Sequence, residues 1–132
     1  CVAVRGEVQC WGEVSASRDA PAPVKIPGLR DARRVGVGGG YACALTSDGR
    51  VWCWGKNDVG QLGRGEIGSS RVPVPVDVPP SIAIAVGYRM TCAVAESHDV
   101  FCWGLWPRPY DEKDPHGDHV PRAFRPVKVR VR

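Results

Sequence analysis

The sequence repeats one short frame three times, and this repetition constrains the fold more than any other feature of the chain. The frame begins with a cysteine, continues through a small or apolar run and a polar turn, and closes with Cys-Trp-Gly. Its copies are CVAVRGEVQCWG (1–12), CALTSDGRVWCWG (43–55) and CAVAESHDVFCWG (92–104). Each copy has the pattern of two short strands joined by a turn, which predicts a β-hairpin.

Two further segments recur in phase with this hairpin. A proline-valine segment appears as PAPVKIPG (21–28), PVPVDVPP (73–80) and FRPVKVRV (124–131), and an apolar segment appears as RRVGVGGGYAC (33–43) and IAIAVGYRMTC (82–92). Four short strands in a period of about 50 residues are typical of a propeller blade. The 12 prolines and 16 glycines also disfavour long helices. We therefore predict an all-β fold, a partial β-propeller of about two and a half to three blades of four-stranded antiparallel sheet.

The cysteine spacing sets the register that we predict for each hairpin. Pairing Cys43 with Cys53 leaves Ser-Asp-Gly as a three-residue loop and puts Gly49 in the left-handed position that such loops need. In the first copy, pairing Cys1 with Cys10 shortens the loop to two residues and keeps the cysteines opposed. Both pairs fall on non-hydrogen-bonded sites, where opposed Cα atoms are close enough for a disulfide.

The third copy departs from the other two at its turn. Cys92 opposes Cys102, but His98 takes the place of Gly49, so we predict a turn that is strained or rearranged. The favoured disulfides are thus Cys1–Cys10, Cys43–Cys53 and Cys92–Cys102. Six reduced core cysteines are the main alternative, and zinc is a lesser one because its ligands usually come in closer pairs. Disulfides would place the protein in an extracellular, periplasmic or cell-surface compartment.

Length and charge exclude several classes of function. A chain of 132 residues with 43% hydrophobic content is long enough for a single domain, residues 1–132. The net charge of +4 comes from interspersed acidic and basic residues, so we predict no nucleic-acid partner. We also predict no membrane insertion, because the chain has no apolar run of the length that a span needs. No signal peptide is evident, so an export signal would have to be missing from this chain.

At residues 35–65 the chain resembles a known family. VGVGGGYACALTSDGRVWCWGKNDVGQLGRG is similar to the regulator of chromosome condensation repeat, with its Ala-Leu-Thr, Asp-Gly turn, Trp-Gly and downstream Gly-Gln-Leu-Gly. The resemblance is strongest to the cysteine-bearing versions of secreted or surface bacterial proteins. It implies a β-propeller, usually of seven blades, that serves as a rigid interaction platform. The first and third copies lack Gly-Gln-Leu-Gly, and their strand boundaries are less well defined.

The repeat phase divides the domain into blade units. We predict a partial unit at 1–20, full units at 21–72 and 73–123, and the start of a further unit at 124–132. A slice of an array exposes strand edges and an unburied blade face. We therefore expect either further propeller repeats, continuous with these but missing from this chain, or association of the chain with copies of itself.

The recurring residues are predicted to be structural. Trp11, Trp54 and Trp103 recur in register, which favours packing between adjacent blades over a binding role. The loop Gly60–Gly63 resembles the family loop that packs between blades. The glycines near residue 38 lack the helix and the Gly-Lys-Ser/Thr ending of a phosphate-binding loop.

One segment, residues 110–122, escapes the repeat and is the candidate binding loop. The candidate binding residues are Trp106, which precedes this segment, and, within it, Tyr110, Asp111, Glu112, Asp114, His116, Asp118 and His119. A solvated surface loop is the simplest interpretation, and contact with a protein is the functional one. Asp114, His116, Asp118 and His119 could ligate a divalent cation, but the prediction is no metal and no cofactor.

The residues form no recognisable catalytic constellation, so we predict that the chain is not an enzyme. The predicted function is a non-enzymatic scaffold of a secreted or surface protein, whose loops bind a protein partner that the sequence does not identify. The resemblance also permits two alternatives, a secreted inhibitor of an enzyme such as a β-lactamase and a regulator similar to a guanine nucleotide exchange factor. Cysteine pairing of the exported type argues against the second.

Overall fold

Three cysteine-bearing hairpins organise the computed structural model, which describes residues 1–14, 20–106 and 122–130. These residues form eleven β-strands. They are β1 (Val2–Val4), β2 (Glu7–Gly12), β3 (Ala20–Lys25), β4 (Ala32–Val37), β5 (Tyr41–Thr46), β6 (Val51–Gly55), β7 (Ser70–Pro75), β8 (Ser81–Val86), β9 (Met90–Ala95), β10 (Val100–Leu105) and β11 (Arg122–Val129). Within the described ranges, no helix has the length and apolar character that crossing a membrane requires.

The strands form three antiparallel sheets that follow one another along the chain. The first contains β1–β2–β3, the second β4–β5–β6–β7 and the third β8–β9–β10–β11, each in that spatial order. The prediction of an all-β fold built from four-stranded antiparallel sheets is thereby confirmed, with the first sheet contributing three described strands.

The hairpin registers follow the predicted pairing. Cys43 lies opposite Cys53 in the ladder of β5 and β6, and Cys92 lies opposite Cys102 in that of β9 and β10. The structure joins the six cysteines as Cys1–Cys10, Cys43–Cys53 and Cys92–Cys102, with Cα atoms 4.0 to 4.1 Å apart.

The third hairpin keeps the turn of the second in spite of its histidine. His98 has φ of 67°, close to the 83° of Gly49. The His98 N–H donates to the Ala95 carbonyl at 2.9 Å, as the Gly49 N–H donates to the Thr46 carbonyl at 3.0 Å. The expected rearrangement is therefore absent from this turn. The strain remains, because the left-handed region is unfavourable for a side chain with a Cβ.

The phase of the sheets differs from the phase of the predicted blade units. Each proline-valine strand pairs with the hairpin that precedes it, so the second sheet spans 32–75 and the third spans 81–129. Residues 122–129 accordingly form the outer strand of the third sheet, where a further unit was expected to begin. A repeating sequence fixes the length of the repeat, but it does not say which strand comes first in a sheet.

The outer strand of each of the three sheets contains a proline, which leaves no backbone N–H there to pair with a further strand. Pro23, Pro73 and Pro126 each come one position before the valine that pairs with the second cysteine of a hairpin. A backbone N–H at that position would point away from the sheet, and proline has none to offer. The structure therefore aligns Pro73 with Pro23, whereas the sequence repeat matched it with Pro21.

The core lies between successive sheets, because neighbouring residues of a strand face opposite sides. Ala42, Ala44 and Trp54 pack against the first sheet, and Cys43 and Cys53 face the third. The second sheet is thus buried on both faces, which fixes the loops at its ends.

Candidate protein-interaction site

Two glycine-bearing loops meet at one end of the second and third sheets. Residues 38–40 join β4 to β5, and residues 87–89 join β8 to β9. The Gly39 N–H donates to the Tyr88 carbonyl oxygen at 2.8 Å, which ties the two loops together. We call this end of the molecule, with the segments that follow β6 and β10, the loop end.

Glycine is required at position 38 because the backbone of the neighbouring loop comes so close. A Cβ at Gly38 would lie 2.2 Å from Cε1 of Tyr41 and 2.4 Å from the carbonyl oxygen of Gly87. Both distances are far shorter than non-bonded contacts allow. The sequence Gly-Gly-Gly thus lets two loops from different sheets touch.

The buried side chain of Tyr41 holds the loop of residues 87–89 in place. Its hydroxyl donates to the Gly87 carbonyl oxygen at 2.9 Å and lies 3.0 Å from Oγ1 of Thr91. Burial raises the pKa of Tyr41 to about 12, and the hydrogen bond with Thr91 offsets part of that rise. The phenol therefore remains a neutral donor at physiological pH and holds the loop in place.

Tyr88 projects from this fixed loop into solvent. Its side chain is 77% exposed, whereas Tyr41 is fully buried. A Cβ at Gly39 would lie 2.5 Å from Cε2 of Tyr88, so the ring rests against the glycine backbone. An exposed aromatic side chain on a rigid support has the character of a binding hot spot, because little conformational entropy is lost when a partner covers it.

Charged side chains sit beside Tyr88. Arg89 forms an ion pair and hydrogen bond with Oδ2 of Asp58, from the segment after β6, and Lys56 lies 3.5 Å from the same oxygen. Burial acts to raise the pKa of Asp58, but the Gln61 amide, which donates at 2.7 Å, and the two cations together lower it. Asp58 therefore stays ionised and holds Arg89 at the edge of the Tyr88 surface.

Comparison with known proteins identifies the repeats. The profile of the regulator of chromosome condensation (RCC1) repeat matches residues 48–94, and a second profile of the same repeat matches residues 32–61.

Residues 32–94 are RCC1 repeats.

Curated relatives match most of this chain. The chain is 37% identical over 109 residues to the ultraviolet-B receptor UVR8 of Arabidopsis thaliana, a match that covers 74% of the chain and 24% of the receptor. It is 34% identical over 128 residues to human regulator of chromosome condensation, covering 91% of the chain and 28% of that protein. It is 30% identical over 118 residues to human E3 ubiquitin-protein ligase HERC2, covering 79% of the chain and 2% of the ligase. The chain thus spans less than a third of these relatives.

Solved structures show the same fold. Yeast RCC1 (Prp20) in complex with Kap60 superposes with a TM-score of 0.72 at 24% identity, over 95% of this chain and 34% of that one. Human WBSCR16 gives 0.69 at 19% identity, over 86% and 29%. The resemblance to the RCC1 repeat family and the prediction of a partial β-propeller are therefore confirmed. The relatives named here are eukaryotic, and the secreted bacterial type stays a prediction.

Two of the three recurring Cys-Trp-Gly tryptophans are buried between sheets, and the third is not. The Trp54 indole N–H donates to the Val14 carbonyl oxygen at 2.9 Å, and that of Trp103 donates to the Gln61 carbonyl oxygen at 2.8 Å. Each thus hydrogen-bonds to the loop of the preceding repeat. Trp11 is 45% exposed.

The Gly60–Gly63 loop of the middle RCC1 repeat is built into the interface between the second and third sheets. Gln61 and Leu62 are fully buried. The Leu62 N–H donates to Oδ1 of Asn57, whose amide in turn donates to the carbonyl oxygens of Glu66 and Gly68. These bonds satisfy the polar groups that the loop buries.

The predicted binding loop lies largely outside the described residues. Trp106 is described, and it is partly buried against the core between the second and third sheets. It follows Leu105, whose N–H donates to the Arg89 carbonyl oxygen at 2.9 Å, so Trp106 lies at the loop end. The other candidates fall outside the described ranges: Tyr110, Asp111, Glu112, Asp114, His116, Asp118 and His119. The described residues hold no group of three side chains suited to a metal.

Sequence reasoning missed Tyr88, although the repeat carries a signal for it. Counting back from the first cysteine of each hairpin aligns Tyr88 with Gly39 and Met90 with Tyr41. A large aromatic residue at a position where the preceding repeat has glycine cannot occupy the same close-packed space. The offset from the cysteine therefore distinguishes the exposed Tyr88 from the buried Tyr41.

Proposed function

We propose that this chain is a non-enzymatic recognition scaffold whose loop end binds a protein partner, with Tyr88 as the central contact. RCC1-like repeats mediate protein interaction and regulation, and this role agrees with the predicted one. The observation that carries the proposal is the 77% exposure of Tyr88 on a loop that hydrogen bonds fix from two sides. Folding does not use this ring, so a partner is the simplest account of its placement.

The relatives support partner binding in general terms. Yeast RCC1 (Prp20) was crystallised in complex with Kap60. A second structure of Prp20p is described together with the binding of that protein to Gsp1p and histones. No catalytic activity is indicated for the repeats themselves. HERC2, an E3 ubiquitin-protein ligase, matches this chain over only 2% of its length.

The exposed ends of the array favour further sheets. Trp11 is the counterpart of two tryptophans that are buried by a preceding repeat, and it is 45% exposed. We propose that another propeller sheet covers it, either from further repeats of the same protein or from a second copy of this chain. Size-exclusion chromatography with light scattering separates these cases, because only self-association gives a discrete oligomer of the 132-residue chain.

The proposed compartment is extracellular, periplasmic or cell-surface, and the support is the placement of all six cysteines in cross-strand pairs. Exchange of guanine nucleotide on a small GTPase is a second candidate, favoured by 91% coverage of this chain in the match to human regulator of chromosome condensation. Release of a fluorescent guanine nucleotide from a small GTPase tests it. Hydrolysis of nitrocefin tests the β-lactamase inhibitor alternative.

Photo-cross-linking tests the main proposal. The photoreactive residue p-benzoylphenylalanine replaces Tyr88 in one variant and Val72 in a control, and each protein is irradiated in the organism of origin. Val72 is 54% exposed and lies on the outer strand β7, outside the two loops that form the Tyr88 surface. A discrete adduct at position 88 that is absent at position 72 is the expected result. Equal labelling of the two sites, or no adduct at 88, contradicts the proposal.

A further inference from the structure

A polar cavity of about 310 Å³ lies at the other end of the molecule, between the second and third sheets. It opens beside the β5–β6 turn and between the first residues of strands β4 and β8. Arg33, Arg34 and Ser47 line one side, and Ile82 and Glu96 line the other. This volume is at the lower limit of ligand sites, so it suits a side chain or two and not a large cofactor.

Matching β-bulges build the mouth of this cavity. Ala32 pairs with Thr46, and Arg34 pairs with the next residue of β5, Leu45. Arg33 is therefore an extra residue of β4, without a partner in the ladder. The same shift between Ser81 and Ala83 makes Ile82 the extra residue of β8. A bulge turns its extra side chain out of the regular alternation. Arg33 and Ile82 are thus the extra residues at matching positions of the two sheets, and both line the cavity.

The turns beneath the cavity are fixed by backbone hydrogen bonds. The Ser81 N–H donates to the Gly49 carbonyl oxygen at 2.8 Å, and the Glu96 N–H donates to the Pro80 carbonyl oxygen at 2.8 Å. Leu45, which is 4% exposed, forms an apolar part of the lining. The Ser81–Gly49 bond joins the two sheets directly and the Glu96–Pro80 bond fixes the end of the third sheet, so the cavity is preformed.

The charges select the ligand. Arg33 and Arg34 are exposed, and neither forms an ion pair with a carboxylate of the described residues. Glu96 reduces the net charge of the lining to +1, which attracts an anion and equals in magnitude the charge of a single carboxylate. Guanidinium groups bind carboxylates through paired N–H bonds, and Ile82 with Leu45 offers apolar contact for neighbouring aliphatic groups.

We propose that this cavity, called the arginine cavity, binds the carboxylate of an acidic residue flanked by aliphatic residues in a protein partner. The site is separate from the Tyr88 surface at the loop end. This proposal is tested independently of the function proposed above, because its test uses peptides and does not involve Tyr88.

Peptide titration by NMR tests the proposal on the unaltered chain. The probes are acetyl-Leu-Glu-Leu-amide and its uncharged counterpart acetyl-Leu-Gln-Leu-amide, which differ only in the carboxylate. The expected result is chemical-shift changes centred on Arg33, Arg34 and Ile82, with affinity at least about ten-fold higher for the glutamate peptide. Equal affinities, no saturable shifts at these residues, or tighter binding of inorganic phosphate would overturn it.

A matched pair of variants localises the binding. Arg33→Ala with Arg34→Ala should weaken the glutamate peptide about ten-fold. Arg5→Ala with Arg30→Ala removes two charges from a neighbouring cavity at the same end and should leave the affinity within about two-fold. Equal losses in the two variants would mean that net charge alone attracts the peptide, which contradicts a built site.

Discussion

The indole N–H of Trp103 donates to the carbonyl oxygen of Gln61 at 2.8 Å, across the interface between the second and third sheets. Gln61 lies in the loop of the middle repeat and Trp103 closes the hairpin of the next. One hydrogen bond therefore couples successive repeats, and Trp54 makes the same bond to Val14.

Replacing this indole should weaken the coupling of the sheets. Trp103→Phe removes the donor and leaves the Gln61 carbonyl buried without a partner, so we expect a loss of about 2 kcal/mol in the free energy of unfolding. Urea denaturation followed by circular dichroism measures it. Trp11→Phe is the control, because Trp11 is 45% exposed, and should change the stability by less than about 0.5 kcal/mol. Similar losses for the two substitutions would argue against the repeat coupling described here.

The hairpins could be predicted because their pairing depends on residues that are close in sequence. The order of strands in each sheet depends on residues far apart in sequence, and it was predicted less well. The pairing of Cys43 with Cys53 follows from the loop length and from Gly49, both read within eleven consecutive residues. The pairing of Val74 with Cys53 bridges a long loop, and so the sequence did not assign this outer strand to its sheet.

The candidate site was less predictable for the same reason. The sequence indicates Trp106 as a candidate because it is an aromatic residue in a predicted loop. The position of the Tyr88 ring depends on Gly39, a residue in a loop of a different sheet. A sequence pattern does not contain contacts of that kind.

The turn of the third hairpin is expected to store strain. His98→Gly should stabilise the protein by about 1 kcal/mol, because glycine adopts the φ of 67° without a steric cost. Thermal denaturation measures the change.

The reciprocal substitution should act in the opposite direction. Gly49→Ala brings a Cβ to 3.2 Å from Cβ of Pro80 and also enters the left-handed region, so we expect a loss of about 1 to 3 kcal/mol. A lower melting temperature for His98→Gly would show that the histidine side chain contributes more than its backbone strain costs.

The cysteines should be oxidised in the native protein. The intact mass without reductant is expected to be lower than the fully reduced mass by six hydrogen atoms, because three pairs are joined. Replacing Cys43 and Cys53 together by alanine should cost roughly 2.5 to 3 kcal/mol, from the entropy of a loop of about ten residues. Six thiols that react with iodoacetamide in the unreduced native protein would overturn this prediction and the proposed compartment with it.

Tyr41 should support the loop that carries Tyr88. Tyr41→Phe removes the donor to the Gly87 carbonyl oxygen and is expected to cost about 1 to 2 kcal/mol at neutral pH. Burial raises the pKa of Tyr41 to about 12, above its value of about 10 in the unfolded chain. Its contribution is therefore complete below about pH 10 and declines as the pH rises toward 12.

Urea midpoints of the wild type and Tyr41→Phe at about pH 8 and about pH 11 check this sign. The difference between the two proteins should be smaller at the higher pH. Thr91→Val serves as a second variant, because loss of its hydrogen bond should raise the pKa of Tyr41 further. A difference that grows with pH would contradict the buried neutral phenol.

Two adjacent glycines at the loop end should respond differently to the same substitution. Gly38→Ala places a Cβ 2.4 Å from the Gly87 carbonyl oxygen, which is backbone and cannot move aside, so we expect a loss of about 3 kcal/mol. The atoms nearest to a Cβ at Gly39 all belong to the ring of Tyr88, which can swing into solvent. The stability of Gly39→Ala should therefore stay within about 0.5 kcal/mol of the wild type.

This difference separates folding from recognition at the loop end. Gly39→Ala should displace the Tyr88 ring in the folded protein, which shifts the aromatic NMR signals of that residue and weakens partner binding at the loop end. Val72→Ala is the control for loss of an exposed side chain, and it should leave both readouts unchanged. If Gly39→Ala binds the partner as tightly as the wild type, the fixed position of Tyr88 is not what the partner recognises.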